Sequence, residues 1–175
     1  KNKRMYIKMK KGLLFAWAVL VLGINPFAAA PSEGRINVNA GISVVTGGST
    51  FTGEKTDWSV GLSYDQSIEN SLGYVVGANY KQHSIKYATY VVEAGLTYEV
   101  VDNIYAITAL NFNFVTDETF DNSNSKSRLG YRIGFGYDIN ESISAELSFE
   151  QLNNYVDGFG NIKFDTIKVA AIYHF

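Results

Sequence analysis

Eight segments of this chain alternate apolar and polar residues with a period of two. No window after residue 30 sustains the 3.6-residue period of a helix. "INVNAGISV" puts Ile36, Val38, Ala40, Ile42 and Val44 on one face, with Asn37, Asn39, Gly41 and Ser43 on the other. "WSVGLSY", "YVVGANY" and "ATYVVEAGLTYEV" repeat the pattern before residue 100, and "AITALNFNF", "RLGYRIGFGYD", "ISAELSFE" and "DTIKVAAIYHF" repeat it after. Successive side chains of a strand point to opposite faces, so each segment reads as a strand with one apolar and one polar face. After Pro31 there is no proline to interrupt a ladder.

The connections alternate in character. "DQSIENS", "VDN" and "INES" are tight, whereas residues 46–57, 82–87, 115–127 and 152–163 form mostly longer, polar loops. An even strand count leaves both ends of the sheet on one side. Short turns on one side and long loops on the other are the pattern of an outer-membrane barrel. A soluble barrel buries its apolar face, and a membrane barrel turns that face to lipid. Here the apolar faces are bulky and aromatic, while the opposite faces carry Gly, Ser, Asn, Thr and charges. These suit the narrow interior of a small barrel. Tyr and Trp fall near strand ends, where an amphipathic ring meets the water–lipid interface. The expected fold is therefore all-β, an eight-stranded antiparallel up-and-down transmembrane barrel.

The first 30 residues differ from the rest. "KNKRMYIKMKK" carries six of the fifteen Lys and Arg and no acid. "GLLFAWAVLVLG" is a 12-residue apolar run, and Ala28 and Ala30 make an Ala-x-Ala site. A basic start, a short apolar run and small residues predict a cleavable signal peptide over 1–30 and a single barrel domain over 31–175. The run is shorter than the roughly 20 apolar residues of a membrane-spanning helix. Without residues 1–30 the chain has nine basic against seventeen acidic residues. That balance excludes nucleic acid as a partner, because such binding needs clustered Lys and Arg. The absence of cysteine removes disulfide frameworks and zinc–thiolate sites.

The last segment alternates to a terminal Phe175, two residues after Tyr173. An aromatic end in mid-strand resembles the C-terminal sorting signal of bacterial outer-membrane barrels, read by the barrel assembly machinery. "SVGLSYDQSIENSLGYVVGANYKQHS", "RLGYRIGFGYDIN", and "SISAELSFEQ" followed by a strand ending "IYHF" are similar to the OmpX/Ail/Lom family. That resemblance implies an eight-stranded barrel without an open pore, placed in the bacterial outer membrane. It also implies surface loops that serve adhesion, invasion or serum resistance through host surface or serum proteins. The loops here lack the basic clusters expected of heparin-binding members.

Inside such a barrel, Arg132, Glu146, Glu150 and Lys168 share inward parity on the last three strands, with Glu93 and Lys81 as further inward candidates. The "INES" turn sets Arg132 opposite Glu150, with Lys168 near Glu150 from the other side. Buried charges must be paired, so these residues are expected to form an ion-pair network that plugs the barrel. The sharper alternative is a low-conductance pore gated by the same charges. A lipid-modifying enzyme is the other alternative, and it would need an oriented histidine. His83 adjoins Ser84, but neighbouring strand residues face opposite ways, and His174 sits at the turn side. Asp117, Glu118, Asp121 and Asn122 offer oxygen ligands without the spacing of a calcium loop. The reading is a monomeric, non-enzymatic barrel in outer-membrane lipid, with no cofactor or metal.

Overall fold

The computed structural model describes residues 34–48, 56–69, 71–83, 87–117, 125–156 and 160–175. The expected signal peptide, Ser84 and most of the acidic run lie outside them. Nine strands are present: β1 (Arg35–Gly48), β2 (Thr56–Glu69), β3 (Leu72–Gln82), β4 (Tyr87–Val101), β5 (Ile104–Asp117), β6 (Ser125–Ser127), β7 (Leu129–Asn140), β8 (Ile143–Val156) and β9 (Gly160–His174). β6 and β7 both pair with β8 and are separated only at Arg128, so together they make one stave. Every sequence neighbour pairs antiparallel, and β9 returns to pair with β1. The result is a closed eight-stave barrel with no free sheet edge along the paired lengths.

The alternation decides the facing. Ile42 and Phe135 are each 60% exposed on the outside, whereas Asn111 and Asn113, on the other parity of β5, are buried. An apolar surface that encircles the whole barrel exceeds what a soluble monomer exposes, and it is matched by hydrocarbon as solvent. Aromatic residues rim that belt. Trp58, Tyr80 and Tyr90 form a ladder at the loop side, with ring centroids 5.6 and 5.3 Å apart. At the turn side, Tyr64 and Tyr74 both donate to Gln66 Oε1, at 3.0 and 2.8 Å.

All three short turns carry a register shift in the last rungs before the reversal, at Ser67/Glu69, Glu99/Val101 and Asp138/Asn140. In the turn between β4 and β5, Asn103 adopts φ 67°, a left-handed conformation that asparagine tolerates better than most residues. The interior is narrow. A Cβ at Gly136 would lie 2.0 Å from the Tyr105 ring, so glycine there lets the phenol lie across the lumen.

The strands run further at the loop side than their apolar alternation suggested. β8 continues to Val156 and β9 begins at Gly160, so most of the expected loop 152–163 is a paired hairpin. Beyond Phe149 and Ile167 its outward positions turn polar: Gln151, Asn153, Lys163 and Asp165. From Phe149, the last residue of the lipid-facing apolar row on β8, to Val156 the hairpin runs a further roughly 20 Å along the strand.

Candidate functional site

Charged side chains inside the barrel gather into two layers. In the layer nearer the loops, Glu150 Oε2 accepts from Lys81 Nζ at 2.8 Å, and Glu150 Oε1 lies 3.4 Å from Lys168 Nζ. Lys81 also donates to Thr166 Oγ1 at 3.0 Å. In the layer nearer the turns, Arg132 Nη1 lies 3.2 Å from Glu93 Oε1 and 3.5 Å from Glu146 Oε1. Asn79 Nδ2 donates to the same Glu93 oxygen at 3.3 Å. All six side chains are buried.

Arg132 and Glu150 are Cα partners in the β7–β8 ladder, in the register that the turn implied. Their side chains nevertheless form no ion pair with each other, and each is satisfied elsewhere. Arg132 on β7 reaches Glu93 on β4, and Glu150 on β8 reaches Lys81 on β3. Lys81 and Glu150 sit on opposite staves and so cross the lumen, whereas Arg132 and Glu93 bridge over β5. An isolated buried charge is costly and these partners offset that cost.

Above the Glu150 layer the lumen is capped. His83 stacks on Phe164, with centroids 5.0 Å apart and planes 15° apart, and Leu152 is buried at the same end. His83 Nδ1 donates to Asp57 Oδ2 at 2.8 Å, and Nε2 lies 2.9 Å from Thr89 Oγ1. The order carboxylate, imidazole, hydroxyl matches a hydrolase relay. Yet Thr89 is 0% exposed, so no substrate carbon reaches its oxygen. These partners of His83 are distant in sequence, unlike its neighbour Ser84. Parity was the signal that could have found this cluster, since His83 continues the inward row of Val75, Gly77, Asn79 and Lys81.

Below the Arg132 layer a cup of about 340 Å³ opens at the turn side. Tyr105, Ile107, Glu146, Ile172 and His174 are among its walls. Three buried atoms of the cup's lining residues have no hydrogen-bond partner: Asn39 Oδ1, Arg132 Nε and Glu146 Oε1. A polar cavity of this size has room for water to satisfy them.

A chain of side-chain hydrogen bonds rings part of the cup's mouth. Arg35 Nε and Nη2 donate to Asp65 Oδ2 at 3.2 and 3.1 Å. Asn37 Nδ2 donates to Asp65 Oδ1, and His174 Nδ1 donates to Asn37 Oδ1 at 2.7 Å. Ser144 Oγ bridges His174 Nε2 and Asp138 Oδ1. The chain spans five adjacent strands: β2, β1, β9, β8 and β7. Tyr173 and Phe175 point outward beside it with an edge-on contact of 4.8 Å, and Phe175 N donates to Ile36 O at 2.9 Å.

Comparison with solved structures returns small outer-membrane barrels. Ail, the attachment invasion locus protein of Yersinia pestis, is 18% identical with a TM-score of 0.53, covering 82% of this chain and 99% of that one. Neisserial surface protein A is 17% identical with a TM-score of 0.58, covering 81% and 97%. De novo designed transmembrane β-barrels, at 13% identity and a TM-score of 0.53, cover 84% and 98%. At these identities the likeness is one of fold alone. No curated protein matches the sequence. The family profile of the outer membrane protein beta-barrel domain matches residues 14–175, and with the closed barrel and lipid-facing belt described above, the chain belongs to that outer-membrane family.

Proposed function

We propose that this protein is a non-enzymatic barrel of the outer membrane whose lumen is plugged and whose projecting strands and loops serve adhesion or envelope integrity. The observation that carries this reading is the pairing of Lys81, Lys168 and Glu150 beneath His83 and Phe164. It leaves no wide aqueous path and commits the interior to structure. Contact with aqueous partners then falls to the loop side, where a rigid scaffold supports variable segments. There the β8–β9 hairpin presents Gln151 Nε2 donating to Asp165 Oδ1 at 3.0 Å, and Arg128, between β6 and β7, lies 5.5 Å from the centroid of the hairpin's Tyr155 ring.

The partner class follows from charge. Ail of Yersinia pestis has been crystallised with the heparin analogue sucrose octasulfate. In this chain Lys163 on the hairpin is neutralised by Asp165 at 3.4 Å, and no loop clusters basic residues: 82–87 carries the single Lys86 and the other three are acidic or balanced. Sulfated polysaccharide is therefore a poor match, and a host surface or serum protein a better one. Tyr173 and Phe175 are assigned to recognition by the barrel assembly machinery.

Planar-bilayer recording and protein binding test the reading together. The expected result is no steady conductance, with binding to host matrix or serum proteins lost when residues 151–163 are shortened to a tight turn. A steady conductance that changes in Glu150→Gln would favour the gated pore instead. Undiminished adhesion after shortening all four loops would remove the surface role.

A further inference from the structure

Closure of the barrel requires β9 to find β1, and no hairpin holds that pair together. Across this seam the outward pairs are Val38 with Tyr173, Ala40 with Ala171, Ile42 with Val169 and Val44 with Ile167. Sliding β1 by two residues keeps every side chain on its own face. It also leaves the outward partners of Val38, Ala40 and Ile42 apolar, and only at the loop-side rim does one direction set Val44 against Asp165, so lipid discriminates weakly between registers.

We propose that Asn37 and His174, together with Lys168 lying over Gly41, lock the register in which the barrel closes. Asn37 joins two strands: its amide nitrogen donates to Asp65 on β2 and its oxygen accepts from His174 on β9. His174 is fixed in turn by Ser144 on β8. The seam is thus referenced to the hairpins on both sides of it.

A two-residue slip in one direction sets His174 against Arg35 and Asn37 against Ile172. The bond is lost and a donor meets a cation. A slip in the other direction sets His174 against Asn39. Lys168 then faces Val45 in place of Ser43 and no longer crosses Gly41, where a Cβ would lie 3.0 Å from Lys168 Cε and 2.8 Å from Val169 O. Each slip also breaks the link from Asp65 through Asn37 to His174. A buried side-chain hydrogen bond of this kind contributes a stabilisation worth roughly tenfold in an equilibrium.

The chain contains no cysteine, so introduced pairs report the register without background. Ala40→Cys with Ala171→Cys reads the native pairing. Ala40→Cys with Val169→Cys and Ile42→Cys with Ala171→Cys read the two slipped ones. Diagonal neighbours in a sheet sit about 7–8 Å apart, beyond the usual reach of a disulfide. Cross-linking by a membrane-permeant oxidant is scored only on the folded fraction, separated by heat-modifiable gel migration. The expected result is a slipped-to-native ratio that rises roughly tenfold in Asn37→Leu and less in Asn37→Ser, which carries the test if the leucine variant does not fold. Ile107→Ala on β5, far from the seam, controls for general loss of stability and leaves the ratio unchanged. An unchanged ratio in the folded fraction of the Asn37 variants would overturn the proposal. So would an equal rise in Ile107→Ala, because register would then follow stability alone.

Discussion

In the loop-side half of the lumen, Glu150 is bracketed by Lys81 and Lys168 beneath Leu152, Phe164 and His83. In the turn-side half, Arg132 is held by Glu93 and Glu146 and borders a 340 Å³ cup. Both halves bury charge, but their surroundings differ. The first has apolar and aromatic groups packed above it. The second has space and polar walls. The same narrow barrel therefore offers a charge two kinds of compensation, a fixed partner or room for water. The cost of losing a partner should depend on which half it belongs to.

That contrast predicts a graded set of effects in urea unfolding of the barrel in bilayers. The largest is Glu150→Gln, which leaves Lys81 beneath the cap and Lys168 at the edge of the cup without a carboxylate and costs about 3–5 kcal/mol. A loss under 1 kcal/mol would mean that water reaches the loop-side layer, and the contrast would fail. Next is Leu152→Ala, which opens a cavity in the cap and costs about 2–5 kcal/mol. A neutral result would show the cap to be loosely packed. Smaller again is Arg132→Met, at about 1–3 kcal/mol, because on removal of the cation Glu146 gains water from the cup and Glu93 keeps its hydrogen bond from Asn79. Double-mutant cycles sharpen the same point. Coupling between Lys81 and Glu150 should exceed coupling between Arg132 and Glu150, since only the first two share a hydrogen bond.

Much of this was legible in the residues. Alternation placed Arg132, Glu146, Glu150, Lys168, Glu93 and Lys81 on the inner face, and the "INES" turn set Arg132 against Glu150. The β5 segment, whose alternation is blurred by Ile107 and Ala109, buries both residues as its parity required. The length of the β8–β9 hairpin was not legible. Its outward residues are polar, because that part of the strand stands in water, and a polar strand resembles a loop when only hydrophobic alternation is read. The two histidine clusters were also missed. His83 meets Asp57 and Thr89, and His174 meets Asn37 and Ser144, at separations of 6 to 137 residues that no local motif encodes.

By itself the sequence determined which face each side chain takes and which solvent each face meets. A period of two leaves only two choices for a strand, and the bulk of the apolar set chooses lipid. Lys168 beside Glu150 followed from the hairpin register, but only the tertiary structure decided which inward charges meet beyond neighbouring strands. Facing is a local property of the backbone, but partnership across a closed lumen depends on curvature. Closure sets β3 across from β8, so Lys81 joins Lys168 on Glu150, and curvature lets Arg132 on β7 reach over β5 to Glu93 on β4 as well as to Glu146 in its own hairpin.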